Sequence, residues 1–204
     1  MTNANKTCCG TISWTFKKRP LTDDPDWCRQ VLAEVAEAGY EGVEMGMPAE
    51  ALGADTVRRL VADAGLELVR IGSRQPVREK LRLVSDCGAV VNMVGAGQRG
   101  DPGPDGIADA AFKAAAAEME EEAKISREEF GLPTGLHNHL WTLAENRHEL
   151  DRLLEAAPHL QLILDTAHLQ AGGGDPVKAI TDYGERICHV HLKDAHTSIF
   201  APDP

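Results

Sequence analysis

The side chains best able to do chemistry in this sequence are histidines, and all eight lie between His137 and His196. Most of them fall into three short clusters: HNH at 137–139, DTAH at 165–168 and HVHLKD at 189–194. Each cluster follows or ends an apolar run that is typical of a β-strand. Histidine is the commonest metal ligand in proteins. The pattern therefore predicts one site built by several strands, and it favours a metal-dependent enzyme.

Alternation along a strand places residues i and i+2 on the same side. His137 therefore shares a face with His139, and His189 shares a face with His191, while Asp165 adds a carboxylate at the end of another strand. Such nitrogen and oxygen donors suit one divalent ion, Mn²⁺, Zn²⁺, Co²⁺ or Fe²⁺. The alternative is two buried histidine pairs that only fill a core. The string HNH also names a nuclease motif, but that motif needs a ββα context that this α/β pattern does not provide.

The elements that would position these residues alternate regularly along the chain. Apolar patterns predict strands at residues 10–16, 42–45, 66–71, 89–94, 135–139, 160–165 and 187–193. Helical periods lie between them, at residues 25–38, 55–64, 77–86, 108–130, 145–156 and from 175 onward, and residues 95–106 form a glycine-rich loop. Such alternation predicts right-handed crossovers and a parallel sheet.

Two architectures satisfy this alternation: a doubly wound open sheet and a (β/α)₈ TIM barrel. No Gly-x-Gly-x-x-Gly follows the first predicted strand, and polar residues recur where strands end, at Trp14, Glu44, His137, Asp165 and His191. A TIM barrel places its site at that rim. We therefore expect an α/β chain of (β/α)₈ TIM-barrel type over residues 1–204 as a single domain. We also expect the eighth strand to be missing or truncated.

The bulk properties narrow the function. With a formal net charge of −11, the sequence shows no clustered lysine and arginine stripe for nucleic acid. No apolar run approaches the roughly 20 residues that span a bilayer, so we expect no membrane association and a cytoplasmic protein. The five cysteines show no Cys-x-x-Cys spacing, which argues against a disulfide framework or a structural zinc site. A small-molecule substrate fits best.

The stretch from Gly135 to Asp194 resembles the sugar phosphate isomerase/epimerase superfamily, with its xylose-isomerase-like TIM barrel. The motifs LDTAH, AGGGDP and RICHVHLKD carry the resemblance, and GTISWTF and GYEGVEMG are similar to its first two strands. The sequence is most similar to the branch that contains inosose dehydratase. The resemblance implies a sugar or cyclitol substrate and one divalent metal ion, held at the ends of strands five to eight.

Carried over by motif, the resemblance implies metal ligands at Asp165 and His191. The strand-five ligand, usually a glutamate, falls at His137. Glu145 either replaces that glutamate as a catalytic carboxylate or favours the dipole of the helix that it begins. The usual strand-eight glutamate has no counterpart here, so His139 or a neighbouring subunit would supply the fourth ligand.

The resemblance further implies that His168 is a catalytic residue that contacts substrate, with orientation of the metal ligands as the rival role. It places Trp14, Glu44, His139 and Lys193 among the substrate-binding residues. For Trp14 the alternative is packing, and for Lys193 it is an ion pair with a neighbouring carboxylate.

The chemistry implied is proton abstraction beside a carbonyl of a keto-sugar or keto-cyclitol, through an enediolate intermediate. Proton return gives isomerisation or epimerisation, and loss of hydroxide gives dehydration, as in a lyase. One alternative is a non-catalytic metal-binding or interaction scaffold derived from the barrel. A three-metal repair endonuclease on the same barrel is disfavoured by the acidic charge. Open strand edges attract partners, so we expect a homo-oligomer.

Overall fold

The computed structural model describes residues 6–16, 21–98, 108–194 and 196. The chain divides into two compact units, one up to Asn92 and one from Met93. Its strands form one three-stranded and one four-stranded sheet, in the orders β1-β2-β3 and β4-β5-β6-β7. The single domain over residues 1–204 stays a prediction. None of the helices within the described residues is long and apolar enough to cross a bilayer.

The first unit alternates strands and helices. Its strands are β1 (Cys8–Gly10), β2 (Gly42–Pro48) and β3 (Glu67–Gly72), and both pairs of neighbours run parallel. Its helices are α1 (Ile12–Phe16), α2 (Pro25–Glu37), α3 (Ala54–Asp63) and α4 (Val77–Asp86). The predicted helix over residues 77–86 is therefore confirmed. Helix α2 ends one residue before its predicted end, and α3 begins and ends one residue before its predicted bounds.

The start of α2 follows from local chemistry. Asp24 precedes the helix with extended backbone, and its carboxylate accepts hydrogen bonds from the Asp26 and Trp27 amides. Pro25 occupies the first helical position, where its fixed φ suits the helix and a missing N–H costs nothing. The buried face of α2 then packs its apolar side chains at Val31, Leu32 and Val35.

The predicted strand over residues 10–16 is wrong. The strand lies earlier, at Cys8–Gly10, and Ile12–Phe16 is a short helix, so Trp14 does not end a strand. The Thr11 amide still donates to the Glu44 carbonyl, and the Thr11 hydroxyl accepts the Gly46 amide. With these two bonds the pairing of β1 with β2 ends at Thr11, and helix α1 begins at the next residue. Strand propensity is a weak guide here because neighbouring strands decide where pairing stops.

The second unit carries the histidine clusters. Its strands are β5 (Thr134–His137), β6 (Gln161–Asp165) and β7 (Ile187–His191), which pair in parallel, together with β4 (Asn92–Gly95) at the edge. Its helices are α5 (Asp109–Phe130), α6 (Arg147–Ala156), α7 (Thr166–Ala171) and α8 (Pro176–Tyr183). The predicted cap of α8 is confirmed, since Asp175 accepts the amides of Val177 and Lys178.

Several predicted ends in this unit are corrected. Strands β5 and β7 end two residues early, at His137 and His191, because the chain leaves the sheet to form the site. Helix α6 begins at Arg147 because Asn146 and Glu149 form a reciprocal capping box. Helix α7 was not predicted. Most of the predicted loop at 95–106 lies outside the described residues.

The core of the second unit packs the helices against the sheet. Leu136 on β5 and Leu162 and Leu164 on β6 are fully buried, and they pack in one cluster with apolar residues of the helices. Burying a leucine side chain stabilises a fold by about 1.5–3 kcal/mol. A rigid core below the ends of β5, β6 and β7 therefore supports the polar residues that follow these strands.

Candidate metal centre

The register of three parallel strands brings the predicted ligands together. His137 pairs with Ile163, two residues before Asp165, and Asp165 pairs directly with His191. All three ligands therefore lie where their strands end, which is where functional residues gather in parallel α/β folds. The Asp165 side chain is fully buried, and those of His137 and His191 are 13% and 17% exposed.

The ligand atoms have the spacing of a coordination shell. His137 Nε2 lies 3.0 Å from His191 Nδ1 and 3.3 Å from Asp165 Oδ2, and His191 Nδ1 lies 3.5 Å from the same oxygen. Metal bonds of about 2.1 Å place neighbouring ligand atoms about 3.0 Å apart at right angles and about 3.4 Å apart at tetrahedral angles. The three side chains therefore fit one divalent ion of the borderline type.

Asn138 positions Asp165 and was missed as a site residue in the sequence. It is fully buried, its Nδ2 donates to the Asp165 carbonyl at 3.1 Å, and its Oδ1 accepts the Asp165 amide at 2.8 Å. This pair of bonds joins the ends of β5 and β6 and fixes the backbone of Asp165. In the sequence, the only indication of this role is that Asn138 is a polar residue which strand alternation places on the face opposite the two histidines.

The two carboxylate oxygens of Asp165 contact different groups. Oδ1 accepts the His168 amide at 3.0 Å and caps α7, whereas Oδ2 faces the two histidine ligands. Lys193 Nζ also contacts Oδ2, at 2.5 Å. Burial raises the pKa of Asp165, but the hydrogen bonds from His137, His191, Lys193 and the His168 amide outweigh burial and hold that pKa well below its usual range. The carboxylate is therefore ionised and ready to bind a cation.

The histidines around Asp165 form a cluster of four rings, from His137, His139, His168 and His191. The centroids of His139 and His168 are 3.7 Å apart, and those of His137 and His139 are 5.5 Å apart. The His137 and His139 rings therefore lie close together, although β5 ends at His137 and its alternation does not extend to His139. Burial lowers the pKa of His137, and its hydrogen bond to Asp165 offsets this only in part. A neutral imidazole is the form that binds metal.

His168 lies beside the carboxylate of Asp165. Its Nε2 lies 4.0 Å from Asp165 Oδ2, and its side chain is 20% exposed. Burial lowers the pKa of His168 to about 4, and repulsion from His139, Lys193 and His137 opposes the attraction of Asp165. The imidazole is therefore unprotonated at neutral pH, as a general base requires.

Glu145 directly precedes Asn146, the cap of helix α6, so its expected position in the first turn of that helix is wrong. Asn146 caps the helix, and the Glu145 carboxylate accepts the Trp141 amide at 2.5 Å. The structure thus shows Glu145 holding the loop that follows β5. Its catalytic assignment stays a prediction, as does the substrate-binding role of Lys193, which here pairs with Asp165.

Trp14 and Glu44 belong to the first unit. The indole Nε1 of Trp14 donates to the Glu34 carboxylate at 2.9 Å, which ties α1 to α2. Glu44 is buried on β2, with Arg70 Nη1 4.0 Å from its carboxylate. Their roles in substrate binding stay predictions. The usual strand-eight glutamate has no counterpart in the sequence, and the residues after Asp194 lie outside the described part of the chain apart from residue 196.

Comparison with known proteins agrees with the fold. An inosose dehydratase of Geobacillus kaustophilus is 30% identical in an alignment of 213 positions, which covers 92% of this chain and 68% of that protein. An L-ribulose 3-epimerase superimposes with a TM-score of 0.75 at 17% identity, over 94% of this chain and 70% of its own. An IOLI protein, whose structure holds a zinc atom, gives a TM-score of 0.69 at 13% identity, over 93% and 73%.

The family model described as a xylose isomerase-like TIM barrel matches residues 32–201. This match covers most of the chain, including every ligand of the candidate metal centre. It confirms both the α/β barrel class and the resemblance found in the motifs. The chain belongs to the xylose isomerase-like TIM barrel family.

Proposed function

We propose that the protein is a divalent-metal-dependent lyase or isomerase/epimerase that acts on a keto-cyclitol or keto-sugar through an enediolate intermediate. One observation carries the proposal: three donor atoms, from His137, Asp165 and His191, lie 3.0–3.5 Å apart around a buried, ionised carboxylate. The 30% identity to an inosose dehydratase supports a keto-cyclitol, with dehydration as the outcome. The zinc atom of the IOLI protein supports a metal at this type of site.

Each residue of the site has a proposed role that follows from its chemistry. His137, Asp165 and His191 would hold the ion, which when bound polarises a carbonyl and stabilises negative charge on its oxygen. His168, whose lowered pKa keeps it neutral at pH 7, would take the proton beside that carbonyl. The Lys193 ammonium, which is 48% exposed and contacts Asp165, would pair with a substrate oxygen.

Metal binding is the first test. Titration calorimetry with Zn²⁺ and Mn²⁺ should show one site per chain, and Asp165→Asn and His191→Gln should each weaken binding at least about 100-fold, because each removes one of three ligands. His148→Gln is the matched control, since His148 is exposed on α6. Absence of binding in the wild type would refute the metal-dependent proposal.

Proton abstraction is the second test and needs no knowledge of the final product. In D₂O, the metal-loaded enzyme should exchange hydrogen at the carbon beside the carbonyl of an inosose, which NMR detects directly. His168→Gln should slow exchange by about 100-fold or more, the usual contribution of a general base, while metal affinity stays unchanged. Stoichiometric metal with no exchange in inososes or ketohexoses would instead favour the non-catalytic scaffold.

A further inference from the structure

Trp141 has an unusual backbone conformation. Its φ is 64°, and among the described residues it is the one non-glycine residue with a positive φ. This left-handed region suits glycine and disfavours bulky side chains, for which it is a genuine outlier. Such conformations persist where the surrounding structure enforces them, and they cluster at functional sites.

The conformation is enforced by a tight turn from His139 to Thr142. The Thr142 amide and hydroxyl both reach the His139 carbonyl, at 3.3 and 2.7 Å, which makes Trp141 the third residue of the turn. With positive φ this position normally holds glycine. The Trp141 amide is in turn held by the Glu145 carboxylate at 2.5 Å. Hydrogen bonds to the main chain, two of them from the Thr142 and Glu145 side chains, therefore shape the turn, and the indole is not needed to form it.

Packing does not account for the indole either. Trp141 is 69% exposed, whereas Leu140 beside it is 9% exposed. A large aromatic ring thus occupies a position where glycine would cost less, and most of its surface faces solvent. The exposed indole is therefore available to a bound ligand.

The turn borders the histidine cluster. It begins at His139, whose ring lies 3.7 Å from that of His168 and 5.5 Å from that of His137. Small-molecule sites combine a few placed polar groups with aromatic walls. The histidine cluster supplies the polar groups, and the described turn that adjoins it carries an exposed indole.

We propose that Trp141 is a specificity-determining residue, which presents its indole to the apolar C–H face of a cyclic polyol bound at the metal centre. This inference rests on the proposed function for its substrate class. It adds an aromatic contact that selects a six-membered ring, which presents axial C–H bonds on its face, over an extended or strongly charged substrate. The contact acts on binding, because the indole supplies no proton and no metal ligand.

The test uses Trp141→Gly in the metal-loaded protein. Glycine relieves the positive φ, so the unfolding midpoint should stay unchanged or rise, and Zn²⁺ affinity should stay unchanged. The KM for inosose should rise about 10-fold with little change in kcat, as expected for the loss of one aromatic contact. Trp141→Phe should recover part of this loss. Val177→Ala, which trims another exposed apolar side chain, should change none of these values.

A second measurement does not depend on turnover. In ¹⁵N-labelled protein, the indole N–H signal of Trp141, assigned by its loss in Trp141→Phe, should shift when myo-inositol is added, while that of buried Trp27 should not. An unmoved Trp141 signal overturns the inference, as does a Trp141→Gly variant with unchanged KM or weakened metal binding. Failure of the proposed function would differ: the wild type would then bind no metal or exchange no hydrogen, and the indole signal alone would decide the role of Trp141.

Discussion

Replacement of Asn138 by alanine should show that a residue without contact to the ion controls the metal centre. The side chain makes two hydrogen bonds to the backbone of Asp165, and both residues are fully buried. Alanine leaves the Asp165 amide and carbonyl without these partners in a place that water does not reach. Each buried unsatisfied group costs about 1–3 kcal/mol.

The expected loss of stability for Asn138→Ala is therefore about 2–5 kcal/mol in the free energy of unfolding. For a chain of this size each kcal/mol lowers Tm by about 2–4 °C, so Tm should fall by roughly 5–15 °C. Asp165 also loses its fixed backbone, and loss of such supporting bonds weakens metal binding about 10- to 100-fold. Urea unfolding and calorimetric titration with Zn²⁺ measure the two effects separately.

Asn146→Ala is the matched control for Asn138→Ala. Asn146 also accepts a backbone amide, but it caps α6 and has no bond to Asp165 in the described structure. Its replacement should cost about 1 kcal/mol, the usual value of a helix cap, and leave Zn²⁺ affinity unchanged. The reasoning is refuted if Asn138→Ala matches the wild type in stability. It is also refuted if Asn138→Ala folds, loses stability as expected and binds Zn²⁺ with wild-type affinity.

Two further predictions concern pH and close packing. The unfolded state protonates His168 below its ordinary pKa of 6.5, whereas the folded state resists protonation down to about 4. Stability of the metal-free protein should thus be constant above pH 6.5 and fall as pH drops toward 4, by about 2 kcal/mol at pH 5 from this residue alone. In urea unfolding, the His168→Gln variant should lose about 2 kcal/mol less stability than the wild type between pH 6.5 and pH 5. Separately, Gly172→Ala should destabilise the fold by more than about 2 kcal/mol, because its Cβ would lie 2.2 Å from the Glu145 carbonyl oxygen.

Gly173 provides the control for the packing prediction. Its φ is 83° and nothing lies within 4 Å of an added Cβ, so alanine there should cost only the strain of the left-handed conformation, about 1–2 kcal/mol. If alanine at positions 172 and 173 lowered the free energy of unfolding equally, the predicted collision between the new Cβ at position 172 and the Glu145 carbonyl oxygen would be contradicted. If the unfolding free energies of the wild type and His168→Gln depended on pH in the same way, the loss of stability at low pH could not be assigned to His168.

The positions of the helices could be predicted from the sequence because the residues that begin a helix lie next to it in the chain. The Asp24-Pro25 and Asp175-Pro176 pairs each cap a helix through the two amides that follow, and no distant residue is involved. Strand ends followed less well. The β-branched residues around Trp14 favoured a strand, but pairing of β1 with β2 stops near Thr11, and only the position of the neighbouring strand decides that point.

The sequence by itself selected the candidate residues. The histidine clusters and the motif resemblance together point to His137, Asp165 and His191, whose metal-binding role stays a prediction. Only the tertiary structure decided that their donor atoms lie 3.0–3.5 Å apart, that Asn138 holds Asp165, and that Trp141 adopts a left-handed turn. These features depend on the register between strands and on backbone bonds made by loops, and neither leaves a periodic trace in the sequence.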